Sequence, residues 1–99
     1  MQFISESLSG VVREQLFTCS GIPGALWTPE DGAGARPLIL IGHGGGQHKL
    51  APGVQARAQH FVREGGFAVV AIDLPNHGER PKSEQFIRQI VFNGKPVLP

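Results

Sequence analysis

Two stretches of the chain run apolar without alternation: LILIG at 38–42 and FAVVAID at 67–73. Continuous apolar runs of this length, bounded by turn residues, predict strands buried on both faces. Between them Val54, Ala58, Phe61 and Val62 fall at i, i+4, i+7 and i+8, one apolar stripe, while Arg57, Arg63 and Glu64 point elsewhere. Pro52 suits the first turn of a helix, where its missing N–H is not needed. Gly65 and Gly66 stand where a left-handed cap is wanted, so a helix is expected over 52–64. Strand, glycine loop, helix, strand is a βαβ unit, which places 37–42 and 67–72 parallel in one sheet through a right-handed crossover.

Upstream, EQLFTC (14–19) and GALWT (24–28) are short β-prone runs on either side of SGIPG, which reads as the turn of an antiparallel hairpin. PEDGAGARP (29–37) is a loop by its local signals. Downstream, Phe86, Ile87, Ile90 and Val91 share one side of a second predicted helix over 82–92, followed by the turn-like NGKPVLP. Residues 1–13 carry no diagnostic pattern. One helix between the two apolar strands covers one face of the parallel pair and leaves the other bare, which such sheets rarely tolerate. The expectation is therefore the front part of a larger α/β domain.

Composition narrows this picture without redirecting it. Ninety-nine residues make one domain and no second one, and 40% hydrophobic content is compatible with a core. No apolar run reaches the roughly 18 residues that a membrane span needs. The net charge is +1, with Lys and Arg scattered, so no nucleic-acid partner is expected. MQFISESLSGVVREQ lacks the basic and apolar regions of a signal peptide. A lone cysteine, Cys19, precludes an internal disulfide framework and fits a reducing compartment. The expectation is a cytoplasmic protein without a membrane partner; its oligomeric state stays open.

The candidate chemistry lies in RPLILIGHGGGQHK (36–49), where a strand runs into three glycines. Bare backbone is useful when its N–H groups must face an anion, and three readings compete with a plain strand-to-helix turn. The phosphate loop needs G-K-[ST], and Lys49 follows His48 and precedes Leu50, so that reading fails. The dinucleotide fingerprint begins well at Gly42 and Gly44 but has Gln47 at its third glycine position. Asp73, at the end of the next strand, stands 27 residues past Gly46, somewhat far for a ribose-binding carboxylate. The third reading is an oxyanion loop, because an HGGG-type segment after the third strand lends backbone N–H groups to the tetrahedral intermediate in lipases and esterases. Here HGGG is 43–46, after a strand that the hairpin makes third in order.

The segment PLILIGHGGGQHKLAPGVQARAQHFVREGGFAVVAIDLPNHGER resembles the third strand, oxyanion loop, first helix and fourth strand of an α/β-hydrolase. It is closest to the dienelactone-hydrolase-like and prolyl-oligopeptidase-like esterases. Asp73-Leu74-Pro75-Asn76-His77-Gly78 is similar to the D-x-P-x-H-G turn that follows strand four in that superfamily, and the resemblance covers about 14–80. It implies an α/β fold, the N-terminal part of a three-layer α/β-hydrolase sheet with the fourth strand between the second and third. It also implies an enzyme cleaving carboxylic ester, lactone or similar acyl bonds in a small-molecule substrate, with no cofactor. Gly44 and Gly45 would supply oxyanion-hole N–H groups, while His43, Gly46, Asp73, His77 and Gly78 would order the loops.

The family's nucleophile sits in G-x-S-x-G, with the acid and then the histidine later in the chain. None of Ser5, Ser7, Ser9, Ser20 and Ser83 has glycines two places to either side, so no residue of this sequence is assigned to a triad. The expectation is an N-terminal fragment, inactive alone. A doubly wound nucleotide-binding module and a truncated non-enzymatic relative are the alternatives. His43, His48, His60 and His77 lack ligand spacing, so no metal site is expected. Trp27, the sole tryptophan, is expected in the core or against the hairpin.

Overall fold

The computed structural model describes residues 1–32 and 34–80. Strands β1 (Gln2–Ser9), β2 (Val12–Cys19) and β3 (Ile22–Pro29) form an antiparallel meander. Strand β4 (Leu38–Ile41), helix α1 (Pro52–Gly65) and strand β5 (Ala68–Ile72) follow as a βαβ unit. The sheet order is β1-β2-β3-β5-β4, with β5 antiparallel to β3 and parallel to β4. The expected sheet is therefore present, with the 67–72 region between the second hairpin strand and the glycine-loop strand.

Three expectations need correction. First, residues 2–9 form a strand, so LILI is fourth along the chain rather than third. Every residue of β1 is exposed, so nothing on it has to alternate between core and solvent, and a bulge between Phe3 and Ser5 further blurs its period. Second, the hairpin turn is not SGIPG but Ser20 and Gly21 alone, both at positive φ (53° and 78°). A two-residue loop of this kind matches the twist of the flanking strands, so Ile22, Pro23 and Gly24 can continue as strand. Pro23 sits near the start of β3, where its carbonyl accepts the Asp73 N–H at 3.0 Å. Third, β4 is not buried on both faces. Ile41 is buried, but Leu38 and Leu40 are 58% and 75% exposed.

Among the described residues one helix packs on one face of the sheet, and no described element lies over the outward side of β4. The core lies between α1 and that face: Val54, Ala58 and Val62 from the helix, with Val12, Ala25, Trp27, Ile41, Val69 and Ala71 from the sheet. Cross-strand neighbours such as Ala25 and Ala71, or Trp27 and Val69, point the same way because the side-chain period is two. Ile72 and Leu74, with Leu38 and Leu40, remain partly or largely exposed. The second predicted helix, 82–92, lies outside the described residues.

The helix ends behave as the sequence indicated. Pro52 occupies the first turn, and Gly66 caps the C-terminus at φ 67°, its N–H donating to the Val62 carbonyl at 3.0 Å. Arg36 donates to the Gly66 carbonyl at 3.1 Å and to Asp31 at 2.8 Å, which ties the loop before β4 to the end of the helix. No helix among the described residues is long and apolar enough to cross a membrane.

Candidate functional site

The loop after β4 and the turn after β5 both leave the carboxyl ends of parallel strands, so they emerge side by side. Open α/β sheets place their ligands at this edge. The structure brings His43, Gly44, Gly45, Gly46, Asp73, His77 and Gly78 into this one place, and the contacts between the two loops explain how.

His43, at the end of β4, is 9% exposed. Its Nε2 accepts the backbone N–H of Leu74 at 3.0 Å. That leaves Nδ1 as the protonated nitrogen, donating to the Gly44 carbonyl at 2.9 Å. A neutral imidazole thus spans the two loops in one tautomer. The His77 ring packs against it with centroids 5.1 Å apart, and His77 Nδ1 lies 2.8 Å from the Pro75 carbonyl.

Below the histidines lies a contact that sequence reasoning missed. Asp73 is fully buried and Lys49 is 3% exposed. One Asp73 oxygen accepts the Lys49 backbone N–H at 2.9 Å. The other accepts the Lys49 ammonium at 2.9 Å and the Glu79 backbone N–H at 2.9 Å. Burial pushes the Asp73 carboxyl up, but the backbone donors Lys49 and Glu79 and then the Lys49 ammonium outweigh it, holding the group below its ordinary 3.8. A signal for Lys49 existed in its position just past the glycines. In one dimension that position fits only a phosphate loop whose pattern fails, and nothing there pairs the lysine with a carboxylate 24 residues away.

Gly78 follows from Asp73. It has φ 57°, and a Cβ there would run into the Asp73 carboxylate. Pro75 and Asn76, the latter at φ 67°, form the preceding turn, closed by the His77 N–H on the Leu74 carbonyl at 3.0 Å. Gly78→Ala should cost about 2–3 kcal/mol, because a left-handed alanine costs about 1–2 kcal/mol and the carboxylate must also move. Gly10→Ala is the control, since Gly10 has φ 61° but nothing within 4 Å of a Cβ. It should lose only the backbone strain, and urea denaturation of both variants measures the difference. Equal losses would mean that the Asp73 contact carries nothing.

The glycine loop itself is pinned at several points. The Gln47 N–H donates to the Gly44 carbonyl at 3.1 Å, with Gly46 at φ 72° inside that turn. The Ala51 N–H donates to the His48 carbonyl at 3.1 Å, and the Leu50 N–H to His48 Nδ1 at 3.1 Å. Arg57, one turn into α1, donates to the Gly42 carbonyl at 3.0 Å. Gly44, Gly45 and Gly46 are exposed. The Gly44 N–H meets the Gln47 side-chain oxygen at 3.2 Å, while the N–H groups of Gly45 and Gly46 donate to no described residue.

Other candidates are placed elsewhere. Trp27 is fully buried in the core, with its ring N–H donating to Glu14 at 2.9 Å. His60 is exposed on α1 beside Phe61. Among the described residues no three His, Cys, Asp or Glu side chains are grouped to hold a metal ion. Cys19 is exposed at the end of β2.

Solved structures share this fold. The chain is similar to a PEG-bound cold-adapted esterase from an Arctic intertidal metagenomic library, with 30% identity, a TM-score of 0.74 and 96% of this chain covered. It also matches the native structure of a cold-adapted esterase from such a library at 23% identity, with a TM-score of 0.56 and 74% of this chain covered. The chain spans 43% and 31% of the lengths of those two chains. No family model and no curated protein sequence matches it. The mixed five-stranded sheet with its one helix is a partial α/β-hydrolase fold of the kind found in esterases.

Proposed function

We propose that this chain is the N-terminal portion of a serine α/β-hydrolase that cleaves carboxylic ester, lactone or similar acyl bonds in a small-molecule substrate, and that it supplies the oxyanion-hole loop. One observation carries the reading. Gly44 and Gly45 lie at the carboxyl edge of two parallel strands, on a loop tied to the neighbouring turn by His43 and Asp73. A tetrahedral oxyanion is stabilised only by donors already fixed in place, and one such donor is worth about 3 kcal/mol. His43, Gly46, Asp73, His77 and Gly78 act as positioning residues, since each either bonds across the two loops or permits the turns. The D-x-P-x-H-G turn favours the dienelactone-hydrolase-like and prolyl-oligopeptidase-like branches.

The dinucleotide alternative loses its support at Asp73. A ribose-binding carboxylate must present free oxygens to the ligand. Both Asp73 oxygens instead accept protein donors, and the residue is fully buried.

The 99-residue chain should by itself show no turnover of p-nitrophenyl acetate above buffer. An oxyanion loop acts on a tetrahedral species that a nucleophile must first create. A fluorophosphonate probe should label none of Ser5, Ser7, Ser9, Ser20 and Ser83, as judged by intact mass. A protein extended through a downstream G-x-S-x-G should present that serine, and the complete domain, with the acid and the histidine that activate it, should label there. Stoichiometric labelling of the short chain would overturn the assignment of this segment as nucleophile-free.

A further inference from the structure

The three consecutive glycine amides of the loop are not equivalent. Gly45 and Gly46 donate to no described residue, whereas the Gly44 N–H meets the Gln47 carboxamide oxygen at 3.2 Å. The same side chain lies over the Gly44 α-carbon. A Cβ built there would stand 3.3 Å from the Gln47 oxygen and 3.6 Å from its carbonyl carbon. The backbone bond from the Gln47 N–H to the Gly44 carbonyl, at 3.1 Å, closes the turn that holds the side chain in this position. A neutral amide oxygen on a backbone donor has the shape and charge of an acyl substrate's carbonyl oxygen.

We propose that Gln47 is an internal stand-in for that oxygen, occupying the Gly44 donor in the resting protein and leaving when an acyl group binds. This rests on the oxyanion reading of the loop and adds a positioning residue to it. Gln47 is exposed, so its side chain can swing into solvent without leaving a cavity. Its oxygen then exchanges the Gly44 donor for water, while the Gly44 N–H exchanges one acceptor for another and is never left dry. The consequence is competition. Any oxygen seeking the Gly44 N–H must displace the carboxamide, which lowers apparent affinity by roughly fivefold, the worth of about one net hydrogen bond. An acceptor that uses Gly45 alone escapes the penalty.

Amide spectra of the uniformly 15N-labelled 99-residue chain, with inorganic phosphate as the probe oxyanion, test the proposal. In Gln47→Ala the Gly44 amide proton should move upfield and exchange faster with solvent, while amides of β2 and β3 stay fixed. Phosphate should then shift Gly44 with a midpoint about fivefold lower than in the unmodified chain. Gln47→Glu should act oppositely, because a carboxylate on the same donor bonds more strongly and repels phosphate. An unmoved Gly44 amide in Gln47→Ala, or equal phosphate midpoints in the two proteins, overturns the stand-in. If Gly44 moves in Gln47→Ala but phosphate perturbs none of Gly44, Gly45 and Gly46 in either protein, the oxyanion reading falls while the contact stands.

Discussion

Asp73→Ala should destabilise the chain by about 3–5 kcal/mol, the usual cost of removing one member of a buried ion pair. The loss is large because it strands several groups at once. Among the described residues the Lys49 ammonium, 3% exposed, would keep only Glu79 at 3.6 Å, and the backbone N–H groups of Lys49 and Glu79 would lose their acceptor. A small domain has about 5–15 kcal/mol in total, so the variant sits near the edge of folding. Lys49→Met keeps the test decisive: the carboxylate retains both backbone donors, and the cost should fall to about 2 kcal/mol, one hydrogen bond to a charged group. Urea titrations followed by circular dichroism measure both. Equal costs for the two would mean that the backbone donors, and not the ammonium, carry little of the effect.

The same carboxylate gives the chain an acid limb with a definite sign. Its pKa is lowered in the folded state from 3.8, so the unfolded chain binds the proton more tightly. The stability it contributes is complete above the unfolded value and drains away as pH falls through the folded one. Stability should therefore drop as pH falls below 3.8 in the unmodified chain, and drop less steeply in Asp73→Ala. Arg80 donates to the Asp73 carbonyl at 3.3 Å and so holds the turn.

Trp27→Ala should cost a similar amount, about 3–5 kcal/mol, for a different reason. Trp27 is fully buried in the second half of β3, beside Val69 of β5 and within the cluster that meets α1. Truncation leaves a cavity that a sheet, fixed by hydrogen bonds on both sides, cannot close. It also strands the part-buried Glu14 carboxylate, which accepts the indole N–H at 2.9 Å. Trp27→Phe separates these terms. It restores most of the volume and still loses the bond to Glu14, for a cost of about 2 kcal/mol. Because Trp27 is the sole tryptophan, circular dichroism rather than fluorescence must follow the unfolding. A loss below about 1 kcal/mol for Trp27→Ala would show that the helix and sheet do not depend on this anchor.

The two halves of the fold were not equally legible. The helix over 52–64 and its flanking apolar strands stood out because each carries its own signal: a stripe at period 3.6, a proline at the start and a glycine pair at the end. All of these act within a few residues and survive in one dimension. β1 left no such trace, since Phe3, Ile4 and Leu8 are all exposed and no core face imposed an alternation. Pro23 and Gly24 have the composition of a turn yet stand within β3. Gly24 is paired with Phe17 on one side and Ile72 on the other, and it is glycine because the Phe17 ring lies where a Cβ would go.

At the site, the sequence by itself determined the chemistry on offer: an HGGG loop after an apolar strand, an Asp-x-Pro-x-His-Gly turn after the next, and no serine in a nucleophile's setting. These are matters of residue type and short spacing. Only the tertiary structure decided which groups meet. Parallel strands bring their carboxyl ends together, so that His43 reaches Leu74 across 31 residues and Lys49 reaches Asp73 across 24. Only there do burial and pairing settle that Lys49 is a buried partner rather than a phosphate ligand, and that Asp73 is held ionised inside the protein. Periodicity reports how a segment faces its surroundings, whereas the partner of a buried charge is set by which strands lie side by side.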